Sequence, residues 1–365
     1  MQFSRAVLIV LAGLALCAPA HAVGDRLRLP AAAGTYYPED PYTLQESVNR
    51  YIGNASAPAL PGRLVACVVP YSPYGLAGEV IGAAFKHLET GQYDRVVIVA
   101  PPTNQELRGA SVPDVDAYAT PLGWVPIDTA AVKKLAFSPL IQTTGVNYQS
   151  RSGGVHQKNA SIEVILPFLQ QKLGLFRLVP LVVGDMFEGD PRLSSQRFSV
   201  LADALREVVD DRTLIVVCAH FTYYGEVFGY APFGNEAAEG VRKLDMDLVD
   251  FVMKQDGAAM EDELARTRNI MHGRSGLHVL MDLLSDDLKG TMVAYDTTGR
   301  ITGRWENSIS FASILFTDPN APANTAHPER ALEAKTPNSP SIVEKAPESE
   351  PAEESVPAPE PETQP

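Results

Sequence analysis

Four stretches of the chain are apolar at almost every position: "LVACVV" (64–69), "DRVVIVAPP" (94–102), "FRLVPLVVGD" (176–185) and "TLIVVCAH" (213–220). A strand with no polar alternation has no face for water, so its sheet must be covered on both sides. The segments between these runs have helical periodicity: 77–88, 161–173 with a kink expected at Pro167, and 198–210. Alternation of this kind predicts an α/β fold, a mainly parallel sheet with helices on both faces. Further helices are expected at 237–254 and 276–286. Strands at 290–297 and 309–317 then follow with no helix between them, which predicts an antiparallel edge. Upstream, Asp40 is placed to cap a helix with Pro41 in its first turn. Leu44, Val48, Tyr51 and Ile52 form its apolar stripe and Gly53 ends it. "ATPLGWVPID" (119–128) reads as a turn-rich hairpin. No linker or repeat interrupts residues 27–317, so one domain is expected.

The two ends differ from this pattern. Arg5, the apolar run 6–17 and the small residues of Ala20-His21-Ala22 fit a cleaved export signal, giving a mature chain that begins at Val23. A lipidated Cys17 and an uncleaved anchor helix are the alternatives. Periplasmic or secreted localisation, with no stable membrane span after cleavage, is the expectation. Residues 318–365 are rich in Pro, Glu and Ala without apolar period, which predicts a disordered tail. That tail holds ten acidic and three basic residues, a net −7 and half of the chain's −14. The domain itself is then only mildly acidic. With no basic stripe, a nucleic-acid partner is disfavoured.

Beyond Cys17, the chain has Cys67 and Cys218, both inside strand-like runs. Buried free thiols are the favoured reading, with a disulfide the alternative in an oxidising compartment. There is no Gly-rich phosphate loop, no G-x-S-x-G elbow and no C-x-x-C pair.

What remains are the strand ends, which an open α/β sheet brings to one crevice. They offer Tyr71 and Tyr74, then Thr103 and Asn104, then Asp185, then His220, Tyr223 and Tyr224; His272 in "IMHGRSG" joins them if its loop folds over. A divalent metal site needs two or three His or carboxylate ligands here. His220 and His272 are the good ligand types, and two histidines alone do not make a metal site. Each residue also has a plainer role: His220 as a buried hydrogen-bonded histidine, the tyrosines as packed side chains with satisfied hydroxyls, and His156 and Arg151 as solvated loop residues.

These segments, with "AAAGTYYPEDPYTLQESVNRYI", "VHQKNASIEVILPFLQ" and "AYDTTGRITGRWENSISFASILF", resemble in order and wording the Memo family, also called AmmeMemoRadiSam system protein B. The resemblance runs over almost all of residues 27–317. It implies a fold like the catalytic subunit of class III extradiol dioxygenases. It also implies departures. Tyr71 stands where family members usually have a histidine, Pro102-Thr103 where a Ser-His pair stands, and Asn159-Ala160 where Glu-His stands. Cys218-Ala219-His220 replaces Ser-Ser-Asp, Tyr223 replaces a further histidine, and His272 replaces a cysteine. The expectation is a protein without the family's metal centre. It binds a small molecule or a periplasmic protein through a pocket of Tyr71, Thr103, Asn104, Asp185, His220, Tyr223 and His272, with no cofactor. The alternative is an enzyme with a rebuilt site. There His220 and His272 serve as acid–base groups or as ligands to Fe, Cu or Zn, and Tyr71 or Tyr223 as a phenolic acid.

Overall fold

A computed structural model describes residues 26–325 except 57, 146–153 and 188–190. The expected signal segment, most of the acidic tail and Arg151 lie outside the described residues. In chain order the elements are β1 (Leu27–Arg28), α1 (Pro41–Asn54), β2 (Arg63–Val69), α2 (Tyr74–Phe85), β3 (Arg95–Ala100), β4 (Ala110–Pro113), β5 (Ala117–Thr120), β6 (Gly123–Pro126), α3 (Thr129–Leu135) and β7 (Ile141–Thr144). There follow α4 (Ala160–Glu163), α5 (Leu166–Leu173), β8 (Arg177–Val183), α6 (Pro191–Arg206), β9 (Thr213–Cys218) and β10 (Tyr223–Gly225). The chain then forms α7 (Ala237–Met253), α8 (Gly257–Thr267), α9 (Arg274–Leu283), β11 (Lys289–Thr297), α10 (Thr298–Thr302) and β12 (Asn307–Asp318).

The main sheet runs β10-β12-β2-β9-β3-β8-β4-β7, with β11 also paired to β12. Its centre, β2-β9-β3-β8, is parallel. Every residue of β9 is buried. Because successive side chains point to opposite faces, both faces of the sheet are covered there. The antiparallel edge of β10, β11 and β12 lies where the final strand pair predicts it. A second antiparallel pairing, β4 on β8, lies on the other side, so the sheet is mixed at both flanks. A small separate sheet, β1-β5-β6, contains the expected hairpin.

Local chemistry sets the boundaries. The Asp40 carboxylate accepts from the Thr43 N–H at 2.8 Å and caps α1, whose Leu44 and Val48 are buried. Pro167 does more than kink a helix. It sits in the first turn of α5, where its missing N–H costs nothing, and the expected single helix becomes α4 and α5. Past the boundary expected at 318 the chain stays on the domain: Asn324 donates to the Asp211 carbonyl and its own carbonyl accepts from Gln92. Cys67 and Cys218 are buried and unpaired.

His156, expected in a solvated loop, is fully buried. Its Nε2–H donates to the Ser111 carbonyl at 3.0 Å and its Nδ1 accepts from the Tyr118 hydroxyl at 2.7 Å. Beside it Arg28 and Glu163 form an ion pair with no solvent exposure on either side chain. Arg28 donates to the His156 and Asn159 carbonyls, and Glu163 accepts from the Ala31 and Ala32 N–H groups and from the Tyr37 hydroxyl. This network ties the start of the domain to α4.

The register of the parallel strands places the site. Val69 lies opposite Cys218, Val99 opposite Val217, and Ala100 opposite Val182. Four strands therefore end at one level, and the residues just beyond them meet.

Candidate functional site

Tyr71 follows β2 and His220 follows β9. Their rings stack at 3.9 Å between centroids and 10° between planes. The main chain holds both in place: Ala219 N–H donates to the Val69 carbonyl, and His220 and His272 exchange backbone hydrogen bonds at 2.9 and 3.2 Å. The 270–273 loop thereby folds over the strand end. The turn into α9 requires glycine at 273, where φ is +91° and a Cβ would lie 2.6 Å from the Cys218 carbonyl oxygen.

His220 is 3% exposed, and both ring nitrogens are engaged. Nε2 accepts from the Tyr71 N–H at 3.2 Å and meets the Ser72 hydroxyl at 3.1 Å. An N–H donor on Nε2 fixes the proton on Nδ1, which donates to the Tyr223 hydroxyl at 2.7 Å. Burial lowers the His220 pKa well below the usual imidazole range, and nearby His272 lowers it further. The charge of Asp185 bears on Arg274, where it favours the cation. Burial likewise pushes the Tyr71 phenol far up and the Tyr223 phenol up to about 12. Tyr71 thus keeps its proton, and its hydroxyl bonds His272 Nδ1. His272 Nε2 has no protein partner among the described residues.

In front of this packed cluster lies a cleft of about 720 Å³. Thr103, Asn104, Asp185 and His272 line it; Tyr71, His220 and Tyr223 form the packed layer behind. The structure thus brings all seven candidates to one sheet edge but divides them between a cleft and its backing. Thr103 Oγ1 also accepts from the Ala160 N–H at 3.1 Å. The Asn159 amide donates to the Pro101 carbonyl at 2.9 Å, so that position now joins α4 to the end of β3. Glu106, Arg108, Arg274 and Ser275 also line the cleft, and sequence reasoning passed over them. Arg274 and Ser275 were within reach of it, directly after His272 in "MHGRSG". Ser72 gave no signal, since its role depends on where the His220 ring lies.

A first-row metal requires several lone pairs aimed at one point. The His220 lone pair on Nε2 is taken by two protein donors, His272 Nδ1 by Tyr71, and the Tyr71 phenol is held protonated. Among the described residues no three His, Cys, Asp or Glu side chains converge. The donors at this strand end do not fit the metal centre that the resemblance implies. No helix among the described residues is long and apolar enough to cross a membrane.

Comparison with known proteins agrees with the resemblance read from the sequence. The memo-1 homolog of Caenorhabditis elegans is 24% identical over 81% of this chain and 85% of its own length. A MEMO1 family protein of Thermococcus kodakarensis is 24% identical over 80% of this chain and 99% of its own. Protein MEMO1 of Mus musculus is 22% identical over 78% and 95%. Since the family described as Memo-like protein matches residues 28–315, nearly the whole described domain, this chain belongs to that family.

Proposed function

We propose that this chain is an exported Memo-like binding or accessory protein that uses the strand-end cleft for a ligand and holds no metal centre there. The observation that carries the reading is His220. It is stacked under Tyr71 and saturated at Nε2 by Tyr71 N–H and Ser72, which leaves it no lone pair to offer. The export part rests on the residue pattern of 1–22.

Metal analysis of purified protein incubated with Fe(II), Cu(II) or Zn(II) and then desalted tests this reading. Far less than one equivalent is expected, unchanged in His220→Ala. One equivalent that disappears in His220→Ala overturns the proposal. N-terminal sequencing of protein recovered outside the cytoplasm reads the export part, with Val23 expected and Met1 contradicting it.

A second reading is acid–base chemistry by His272 alone, favoured by its open Nε2 at the cleft. It narrows the rebuilt-site alternative to one histidine, because His220 is engaged on both nitrogens.

A further inference from the structure

Resting on the reading of the cleft as a ligand site, we infer that its α9 end binds the carboxylate of a small zwitterion of the amino-acid class. α9 is ten residues long and starts from Gly273, so no side chain caps it. Gly273, Arg274 and Ser275 line the cleft, which places the uncapped N–H groups of the first turn at its wall. Ser275 is the second observation: it is only 7% exposed, lines the cleft, and its hydroxyl has no hydrogen-bond partner among the described residues. Its oxygen is not sealed in the interior, and the cleft that Ser275 lines is where a ligand acceptor can sit. His272 adds a third donor. Its Nε2 faces no protein group among the described residues, and donates there in the tautomer whose Nδ1 accepts from the Tyr71 hydroxyl. His272, Gly273, Arg274 and Ser275 follow one another along the wall of the same cleft.

The rest of the lining defines the ligand. The exposed acids Glu106 and Asp185 share the cleft, and Arg274 is already bonded to Glu261. Arg108 also lines the cleft, so the wall carries both signs and a phosphate dianion would meet two carboxylates as well as that cation. A zwitterion meets donors with its carboxylate and acids with its ammonium. Leu107, Val183, Phe187 and Met271 supply an apolar wall for a side chain.

The test is the thermal stability of the mature protein with L-leucine, with the same acid lacking its amino group, and with inorganic phosphate. L-Leucine should raise the melting temperature saturably, with Kd in the millimolar range or below. The deaminated acid should act more weakly, and phosphate should not act. Ser275→Ala should weaken L-leucine binding roughly tenfold, the loss of one hydrogen bond to a charged group. Ser275→Asp, which places a carboxylate of its own at the helix start, should remain folded and abolish the response. No saturable response to L-leucine, an equal response to phosphate, or unchanged binding in Ser275→Ala overturns the inference. If a different ligand binds and ignores both Ser275 variants, this inference fails while the cleft-binding proposal stands.

Discussion

Glu163→Ala should destabilise the domain by about 3–5 kcal/mol, the cost of leaving a buried charge without its partner. The Arg28 guanidinium has no solvent exposure and, among the described residues, no other carboxylate partner. The variant also removes the acceptor of two backbone N–H groups, of Ala31 and Ala32, and of the Tyr37 hydroxyl. Each orphaned buried donor adds to the loss. Arg28→Ala should cost a similar amount, because it leaves the enclosed Glu163 carboxyl without its cation. Replacing both residues by apolar ones of matching volume should cost far less than either single change. Urea denaturation followed by circular dichroism measures all three. Single variants within about 1 kcal/mol of the parent would show that the pair does not anchor the domain.

The second large effect is acid destabilisation beginning above pH 6. Burial lowers the His156 pKa to about 3 and the His278 pKa to about 4, while His220 and His272 are also lowered. In the unfolded chain each histidine takes a proton near pH 6.5. Below that pH the unfolded state binds more protons than the native state, so stability falls as pH falls. The contribution is complete above the unfolded pKa and is lost down to the folded one, a window from about 6.5 to about 3. His156 and His220, both enclosed, together give a slope of about 3 kcal/mol per pH unit. Asp245, whose buried carboxyl is raised by desolvation, works in the opposite direction. Asp128 and Asp210, held below the usual carboxylate range, add to the loss at the acid end. Urea midpoints at pH 7.5, 6 and 5 should fall steadily. A flat profile over this range would mean that these rings ionise as freely in the fold as in water.

The sequence revealed the fold where a strand was apolar enough to state its own burial. β2, β3, β8 and β9 were legible for that reason. β4 and β7, with "ASVP" and "IQTT", have no such signal and exist because β8 pairs with β4 and β4 with β7. α8 was missed because only Met260 and Leu264 are buried along its eleven residues, too few to show a period. The site was legible as a set of strand ends because parallel strands must bring their carboxyl ends together. Its division was not. The stacking of Tyr71 on His220 depends on the register of β2 against β9, and the burial of His156 on Tyr118 and Ser111, which lie about 40 residues away in sequence. Long-range contacts of this kind leave no local trace.

The central claim is that His220 is a packing and hydrogen-bonding residue and not a ligand. Nitrogen NMR of the histidine rings measures this directly, with His220 assigned from its loss in His220→Gln. The account predicts a neutral ring with its proton on Nδ1. That state should persist from pH 8 to well below 6.5 and be unmoved by added Zn(II). A ring protonated on Nε2, or an His220 signal displaced by one equivalent of Zn(II), would contradict it.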